Sequence, residues 1–367
     1  MQNLKSRSAS PAVGGRVLAS VVAGVILATG CNQQKATQAG SLVVASYGGA
    51  WQDAQRASMF QPFAKANNVR VQDVPYDGQY AKLKEMVSAS HVEWDVVDVE
   101  GNMVLLGAKE GLLQPLDYAV IPRDSLIAGA THPYGAGVVA WSWVLAYRKG
   151  AISDSALSHP WQSFFDVKHI RGPRGMRNDP RRTLEIALIA DGVPPTALYP
   201  LDVDRAFKVL DRFRNEMRAA KYPIVWWDEY AKPPQLLQDS EVVLTPAANG
   251  RVADAQKQGA PIDFTWKNGI LDFDWWVVPK GAPHKDEAMR FIAFASSASA
   301  QADIVQRIPY GPVNKNALNS LPAATVATLP TAPQNFEQET TFNTEWWASN
   351  RDQIQARWNQ WRATVPK

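Results

Sequence analysis

The chain of 367 residues contains one cysteine, Cys31, and five scattered histidines. A single cysteine excludes an intramolecular disulfide and a cysteine-based zinc site. With so few histidines as well, we expect no metal site. Long apolar runs are also scarce, and the run near the N-terminus, at residues 17–27, has only 11 residues. That length falls short of the roughly 20 residues that a membrane-spanning helix requires.

The motifs of common catalytic sites are equally absent. The sequence has no GxSxG, SxxK or HExxH pattern. A GxGxxA pattern occurs at residues 135–140, but strand-like sequence follows it, whereas a dinucleotide fingerprint opens a helix. We therefore expect no cofactor and no catalytic residue. One other class stays open, an exported hydrolase with an acid–base pair, because Asp272 and Asp274 alternate on a predicted strand and face the same side.

The excess positive charge lies at the N-terminus. The formal net charge is +3, and residues 1–30 carry Lys5, Arg7 and Arg16 without any acidic residue. Removal of these residues would bring the formal charge to zero, so the basic balance does not argue for a nucleic-acid partner or an acidic membrane. The basic start, the apolar core and the small residues 28–30 are typical of an export signal, predicted here over residues 1–30.

The cysteine follows this signal directly. Its position resembles that of the lipidated cysteine in a bacterial lipobox, and Cys31 is therefore the predicted lipidation site. Ala28 stands where the lipobox usually has leucine, so a chance cysteine beside an ordinary signal-peptidase site stays open as the alternative. Either reading takes the protein out of the cytoplasm, with membrane contact only through a lipid anchor. The small and polar residues 31–41 predict a flexible tether.

Strand-like and helix-like stretches alternate along the rest of the chain. Strands are predicted at residues 42–46, 69–74, 94–99, 138–147, 224–227, 241–245, 262–266 and 273–278. Helices are predicted at residues 50–66, 80–87, 183–190, 203–218, 252–258, 285–295, 298–307 and 343–362. Residues 318–334, rich in Ala, Thr and Pro, predict a surface loop. The alternation predicts βαβ units and an α/β fold with parallel strands.

Two further patterns bear on binding. Residues 168–182 contain six Lys or Arg side chains among glycine and proline, and we expect most of them to be solvated in a loop. One or two could neutralise an acidic ligand or contact a partner. Adjacent tryptophans precede two acids at residues 226–229, and Asp274 precedes Trp275 and Trp276. Aromatic faces beside carboxylates suit an organic ammonium group, with core packing as the alternative at each tryptophan pair.

Several segments in this order resemble the solute-binding proteins of bacterial ABC importers, in the branch of spermidine/putrescine receptors and related γ-aminobutyrate receptors. The likeness extends over roughly residues 41–320. It is carried by LVVASYGGAWQDAQ (42–55), WDVVDVEGNMVLLGAKEGLLQPLD (94–117), EVVLTPAANGR (241–251), GILDFDWWVVPKGAPHKDEAMRFIAF (269–294) and RIPYGPVN (307–314).

This resemblance implies a two-lobed periplasmic binding protein of type II-like architecture, in which each lobe is a βαβ sheet and crossing hinge strands join the lobes. We expect lobe 1 at residues 42–139 and 275–312, and lobe 2 at residues 140–274 and 313–367. The implied protein is a monomer in the periplasm and no enzyme. It would capture a small amine-bearing solute between its lobes and deliver it to an inner-membrane ABC permease.

The resemblance and the aromatic–acid pattern together predict a ligand-binding set of Tyr47, Trp51, Glu100, Asp179, Arg182, Trp227, Asn249, Arg251, Asp274, Trp275 and Tyr310. The resemblance assigns Asp274 to the ligand amine and implies a polyamine such as putrescine or spermidine. This sequence departs from the polyamine pattern, because Arg182 stands where a second acid is usual and Glu100 replaces a small polar residue. Arg251 opposite Asp274 suits a zwitterion such as γ-aminobutyrate or another amino acid, which stays open as the alternative.

Ordinary structural roles are open for three of these residues. Asp179 could cap the helix that begins nearby. Arg251 could form a weak surface pair with Asp254 or Glu241. Tyr310, which precedes Gly-Pro, could pack a turn.

Overall fold

The computed structural model describes residues 40–127 and 129–364. The predicted export signal and Cys31 lie outside the described residues. The predicted tether ends too late, because Gly40 and Ser41 already belong to the first strand. Within the described part, no helix combines the length and apolar character needed to cross a membrane.

Eleven strands of the described residues form one mixed sheet. They are β1 Gly40–Ser46, β2 Val69–Pro75, β3 Val96–Glu100, β4 Thr131–His132, β5 Gly135–Arg148, β6 Arg174–Arg177, β7 Ile224–Trp227, β8 Leu244–Ala248, β9 Ile262–Val277, β10 Gly311–Pro312 and β11 Thr340–Thr341. The main order is β2-β1-β3-β9-β5-β8-β6-β7, with β4 and β10 pairing β5 and with β11 pairing β9.

The sheet has two parallel halves joined by an antiparallel centre. In the first half β1 pairs β2 and β3 in parallel, and in the second half β6 pairs β7 and β8 in parallel. Between them β9 and β5 run antiparallel to each other, β9 also to β3 and β5 also to β8, while the short β11 pairs with β9 in parallel. The predicted α/β class with crossing strands between two βαβ sheets is therefore confirmed. The strands predicted at residues 262–266 and 273–278 are one continuous strand, β9, and β8 begins three residues later than predicted.

Helices cover the sheet and fill the connections. They are α1 Gly49–Gln55, α2 Gln61–Asn67, α3 Tyr80–Ser88, α4 Gly101–Lys109, α5 Asp154–Leu157, α6 Pro160–Phe165, α7 Thr183–Ala190, α8 Val203–Ala219, α9 Lys232–Gln238, α10 Asn249–Lys257, α11 Lys285–Ala295, α12 Ala298–Arg307, α13 Ala323–Val326, α14 Pro333–Phe336 and α15 Thr344–Ala363. A π-helical turn, Arg56–Phe60, joins α1 and α2 into the single helix predicted over residues 50–66. The predicted loop at 318–334 is wrong in part, because short helical turns occupy much of it.

Helix α8 shows how the sequence dictates these elements. Its buried residues recur every three or four positions along one face, from Ala206 through Leu210 and Phe213 to Met217. The Asp202 carboxylate accepts a hydrogen bond of 2.9 Å from the Arg205 backbone N–H, which satisfies a donor left free at the helix start. Amphipathic spacing and a capping residue together define the start and the buried face of the helix.

The carboxyl ends of the parallel strands of both halves face a common region beside β5 and β9. Ser46 and Glu100 end β1 and β3, and Arg177, Trp227 and Ala248 end β6, β7 and β8. In open α/β sheets ligands bind beyond the carboxyl ends of the strands. The fold therefore predicts a ligand site among the connections that follow these five residues.

Candidate functional site

A small cavity lies at this place. Its lining comes from the connections after β1, β7 and β8, from the crossing strands and from the segment before β10. The lining residues are Tyr47, Trp51, Trp141, Tyr230, Ala248, Arg251, Asp274 and Tyr310. Five of them belong to the predicted ligand-binding set, namely Tyr47, Trp51, Arg251, Asp274 and Tyr310.

Asp274 is the acidic group of the cavity. It lies on β9 with only 6% of its surface exposed, and the Trp141 indole N–H donates a 2.8 Å hydrogen bond to its carboxylate. No basic side chain of the described part forms an ion pair with it. Burial raises the pKa of Asp274 well above its ordinary value, and the negative charges of Asp98, Glu100 and Asp272 raise it further. A cation placed in the cavity would relieve this unfavourable charge.

Arg251, in the first turn of α10, supplies the opposite charge. Its two terminal nitrogens donate to the backbone oxygens of Tyr47 and Gly48 at 3.0–3.2 Å, and the residue is 5% exposed. The surface pairing with Asp254 or Glu241 is wrong, since the described residues place no carboxylate on this guanidinium. Gly49 permits the approach, because a side chain there would lie 2.9 Å from the guanidinium and its φ of +57° favours glycine.

Aromatic rings form most of the remaining wall. Tyr310 meets Trp51 edge to face at 5.2 Å between ring centroids, and Tyr230 contacts Tyr47 and Trp141 at 5.4 and 5.9 Å. Tyr310 thus does more than pack a turn. Aromatic faces around a carboxylate without a counter-ion are a favourable environment for an organic ammonium group.

A second carboxylate lies behind the wall. Asp98 accepts hydrogen bonds from Trp51 and Gln55 at 2.8 Å and from Ser46 at 3.3 Å, while its other oxygen is buried without a partner among the described residues. Burial raises the pKa of Asp98 to about 7 despite these three donors. Trp51 is thereby fixed at the edge of the cavity.

Next to the cavity lies a buried ionic network, which we call the Glu100 cluster. Its three acids and three arginines are Glu100, Asp179, Asp272, Arg177, Arg181 and Arg182. Glu100 lies 2.5 Å from Arg181, 3.4 Å from Arg182 and 3.8 Å from Arg177. Arg182 also pairs with Asp272, and Arg181 with Asp179 at 2.6 Å.

Charges balance within the Glu100 cluster. Burial alone would raise the pKa of Glu100, but Arg181, Arg182 and Arg177 together lower it to about 2. For Asp272 burial prevails over the Arg182 charge, so that its pKa is raised to about 6. The predicted ligand-binding residues Glu100 and Arg182 thus pair with each other, Asp179 pairs with Arg181 and Arg177, and none of the three predicted residues lines the cavity.

The expectation that most basic side chains of residues 168–182 are solvated is wrong. Lys168 and Arg171 are exposed, but four arginines, Arg174, Arg177, Arg181 and Arg182, are buried. The buried acids that pair with three of them come from distant parts of the chain, which local composition does not reveal. Arg174 instead donates to backbone oxygens, among them Phe164 at 3.0 Å.

The three remaining predicted residues, Trp227, Asn249 and Trp275, have structural contacts, and Asp179 has a further one. Asp179 accepts a 2.9 Å bond from the Arg181 backbone N–H just before α7, close to the capping role considered for it. The Trp227 indole donates to Thr245 at 3.2 Å. Asn249 ties α10 to β5 and to the segment before β10, through Ser142 and Pro309 at 2.9 Å each. Trp275 packs over Gly101 and Gly135, where an added side chain would lie within 3.3 Å of its ring.

Three residues that line the cavity, Trp141, Tyr230 and Ala248, are not in the predicted ligand-binding set. Trp141 lies in the strand predicted at residues 138–147, and Tyr230 follows the tryptophan pair at residues 226–227 by three positions. Alternation along a strand distinguishes its two faces but does not say which face meets a cavity. Ala248 ends β8, and its small apolar side chain gives no binding signal in the sequence. For all three the missing information is tertiary.

Two α/β halves, crossing strands between them and an enclosed cavity at the carboxyl ends define the class of two-lobed periplasmic binding proteins. Comparison with known proteins identifies the family within this class. A family model described as bacterial extracellular solute-binding protein matches residues 58–334. The chain belongs to this family, and it is the substrate-binding protein of an ABC transporter.

Individual relatives and structures agree with this assignment. The chain is similar to a γ-aminobutyric acid-binding protein of Pseudomonas aeruginosa, 38% identical over 332 residues that cover 89% of this chain and 92% of the relative. A spermidine/putrescine-binding periplasmic protein of Escherichia coli is 22% identical and covers 81% and 84%.

Among solved structures, a periplasmic binding protein of Agrobacterium tumefaciens in complex with agropinic acid has a TM-score of 0.81 and 38% identity, and it covers 88% of this chain and 98% of that chain. A GABA receptor has a TM-score of 0.78 and 35% identity, and it covers 89% and 99%.

Proposed function

We propose that this protein binds a small zwitterionic amino acid of the γ-aminobutyrate type and delivers it to an inner-membrane ABC permease. One observation carries the proposal. The cavity presents a buried carboxylate without a counter-ion, Asp274, and a buried guanidinium without a carboxylate partner in the described part, Arg251. The ligand ammonium would contact Asp274 and the aromatic wall, and the ligand carboxylate would contact Arg251.

The charges favour a zwitterion over a polyamine. Each buried ammonium group needs its own acceptor, because an unpaired buried charge is costly. Asp274 is the only acid among the cavity-lining residues, and the nearby Glu100 and Asp272 are paired with arginines. A second or third ammonium would therefore lack a carboxylate and meet Arg251.

The similarity to named relatives points the same way. The γ-aminobutyrate-binding relative is 38% identical to this chain, whereas the spermidine/putrescine-binding relative is 22% identical. The proposal thus adopts the zwitterion that the sequence leaves open, within the same class of amine-bearing solutes.

We propose that the protein binds the solute without converting it chemically. The alternative hydrolase would use Asp272 and Asp274 as its acid and base. Asp272 is, however, paired with Arg182 and directed into the Glu100 cluster, while Asp274 faces the cavity. We further propose that the mature protein is a monomer held at the periplasmic membrane face by a lipid on Cys31, with the lobe boundaries given in the sequence analysis.

A thermal-shift panel tests this proposal. A ligand at about 100 times its Kd stabilises the folded protein by about 2.7 kcal/mol. We expect γ-aminobutyrate to raise the melting temperature, and putrescine and butyrate, which each retain one end group, to raise it far less. Spermidine and ordinary α-amino acids complete the panel. A response to putrescine or spermidine alone would replace the zwitterion by a polyamine, and no response to any compound would refute the proposal.

A further inference from the structure

The Glu100 cluster connects the two halves of the sheet beside the cavity. Glu100 ends β3 in the first half, and its arginine partners follow β6 in the second half. We propose that Glu100 is a positioning residue that holds the two halves together in the closed state, with or without ligand, and fixes one wall of the cavity. This inference rests on the proposed function of the cavity.

Contacts across the halves are short and shielded from water. The Glu100 carboxylate lies 2.5 Å from Arg181 and 3.4 Å from Arg182, and these three side chains are 1%, 5% and 0% exposed. Their sequence separations of 81 and 82 residues show that the pairs join distant parts of the chain. Separation of the halves would break these pairs and expose the charges.

Glu100 also reaches the cavity wall through one side chain. The Tyr230 hydroxyl donates a hydrogen bond to Glu100, and the Arg177 guanidinium lies 3.9 Å from the centre of the Tyr230 ring. The same ring lines the cavity beside Trp141. The charge of Glu100 therefore helps to fix a surface that the ligand would contact.

Many contacts hold Arg182 in place within the Glu100 cluster. Its backbone has a φ of +65°, which is unfavourable for a residue with a long side chain. Its guanidinium lies between Trp141 and Phe342, 4.6 and 4.5 Å from the ring centres, and pairs with Glu100 and Asp272. Strained residues persist where the surrounding contacts over-determine them, and they concentrate at ligand clamps.

A closing contact made of charges suits reversible opening. Buried ion pairs gain little net free energy over separated, hydrated ions, whereas removal of one partner leaves an uncompensated buried charge. The halves can thus part with the charges returning to water. Loss of the Glu100 charge would leave an excess of buried arginine and favour the open state.

The test compares three variants with the wild type. Glu100→Gln removes the charge and keeps the side-chain size. Glu100→Gln combined with Arg181→Gln restores the charge balance. Asp95→Asn is the matched control, since Asp95 is a buried carboxylate just before the same strand and bonds Val43 and His284 within the first half. The readouts are γ-aminobutyrate association and dissociation rates by stopped-flow fluorescence.

We expect Glu100→Gln to bind γ-aminobutyrate about tenfold more weakly or worse, almost entirely through faster dissociation. The double variant should recover part of this loss, because the two positions are coupled. Asp95→Asn should lower the melting temperature and leave the dissociation rate unchanged. Equal dissociation rates in Glu100→Gln and the wild type, or losses that simply add in the double variant, would overturn the proposal.

A second readout keeps this test separate from the identity of the ligand. Spin labels at the exposed positions Lys82 on α3 and Lys208 on α8, in a Cys31→Ser background, report the distance between the halves. In the absence of ligand, Glu100→Gln should increase the fraction of molecules with a long distance between the two labels, and Asp95→Asn should not. If γ-aminobutyrate fails to bind the wild type, the proposed function fails, while an unchanged distance distribution in Glu100→Gln separately refutes the positioning role.

Discussion

Replacement of Asp274 by asparagine removes the charge that the proposed ligand ammonium requires and little else. The asparagine side-chain oxygen can still accept the 2.8 Å bond from the Trp141 indole, so the wall of the cavity keeps its shape. We expect Asp274→Asn to abolish high-affinity binding of γ-aminobutyrate.

The size of the loss follows from the burial of Asp274. Removal of one partner from a buried ion pair costs about 3–5 kcal/mol. At about 1.4 kcal/mol for each factor of ten, the Kd should rise about a hundredfold to a few thousandfold. Without ligand, the Asp274→Asn variant should be at least as stable as the wild type. The pKa of Asp274 is raised by burial and then by Asp98, Glu100 and Asp272, so a neutral side chain relieves an unfavourable charge in the folded state.

Isothermal titration calorimetry measures the binding loss, and differential scanning calorimetry without ligand measures stability. The expected pair of results is a much higher Kd with a melting temperature equal to or above that of the wild type. Asp95→Asn serves as a control for general effects of removing a buried carboxylate. A Kd within about threefold of the wild type would refute the contact between Asp274 and the ammonium, since about 0.6 kcal/mol is too little for a buried charge pair.

Three further predictions concern the same cavity. Arg251→Gln should weaken γ-aminobutyrate binding about tenfold to a hundredfold, the worth of a charge-assisted hydrogen bond, whereas the weak binding of putrescine should gain from the loss of the like charge, as calorimetry would show; equal losses for both would contradict the carboxylate role. Titrations at several pH values should show the γ-aminobutyrate affinity falling on acidification, because the raised pKa of Asp274 lets protons compete with the ammonium, whereas Asp274→Asn should show a much smaller dependence. Constant or rising affinity on acidification would contradict this sign. Gly250→Ala should place a methyl group 2.4 Å from the Tyr310 ring, destabilise the fold by about 1–3 kcal/mol and impair binding. Gly40→Ala meets nothing closer than 3.4 Å and should leave both unchanged; binding by Gly250→Ala like that of the wild type would show that Tyr310 can move freely.

Much of the fold could be predicted because its elements carry their signals locally. The helices α7, α11 and α12 begin and end at the predicted residues, since α11 and α12 have a clear apolar spacing and α7 is apolar along most of its length. The long strand β9 was divided into two because Lys267, Asn268 and Gly269 resemble a turn. In the structure β9 continues through them, and β11 pairs with the strand just beyond, at Ile270 and Leu271.

The site could be predicted less completely, because local sequence signals do not show which charges pair. Asp274 and Arg251 were identified with opposite charges, and both line the cavity. Glu100 and Arg182 were placed with them although they pair with each other. Their separation of 82 residues explains the error, because composition shows a basic segment but not the buried acids that neutralise it. The distinction between a free and a paired charge depends on tertiary contacts.

The central claim is that the cavity recognises both ends of one small zwitterion. Calorimetric titration of the wild-type protein with γ-aminobutyrate, putrescine and butyrate under identical conditions tests it most directly. We predict that γ-aminobutyrate binds at least about a hundredfold more tightly than either compound with a single type of end group, because each loses a buried charge contact. Putrescine binding as tight as that of γ-aminobutyrate would contradict the claim.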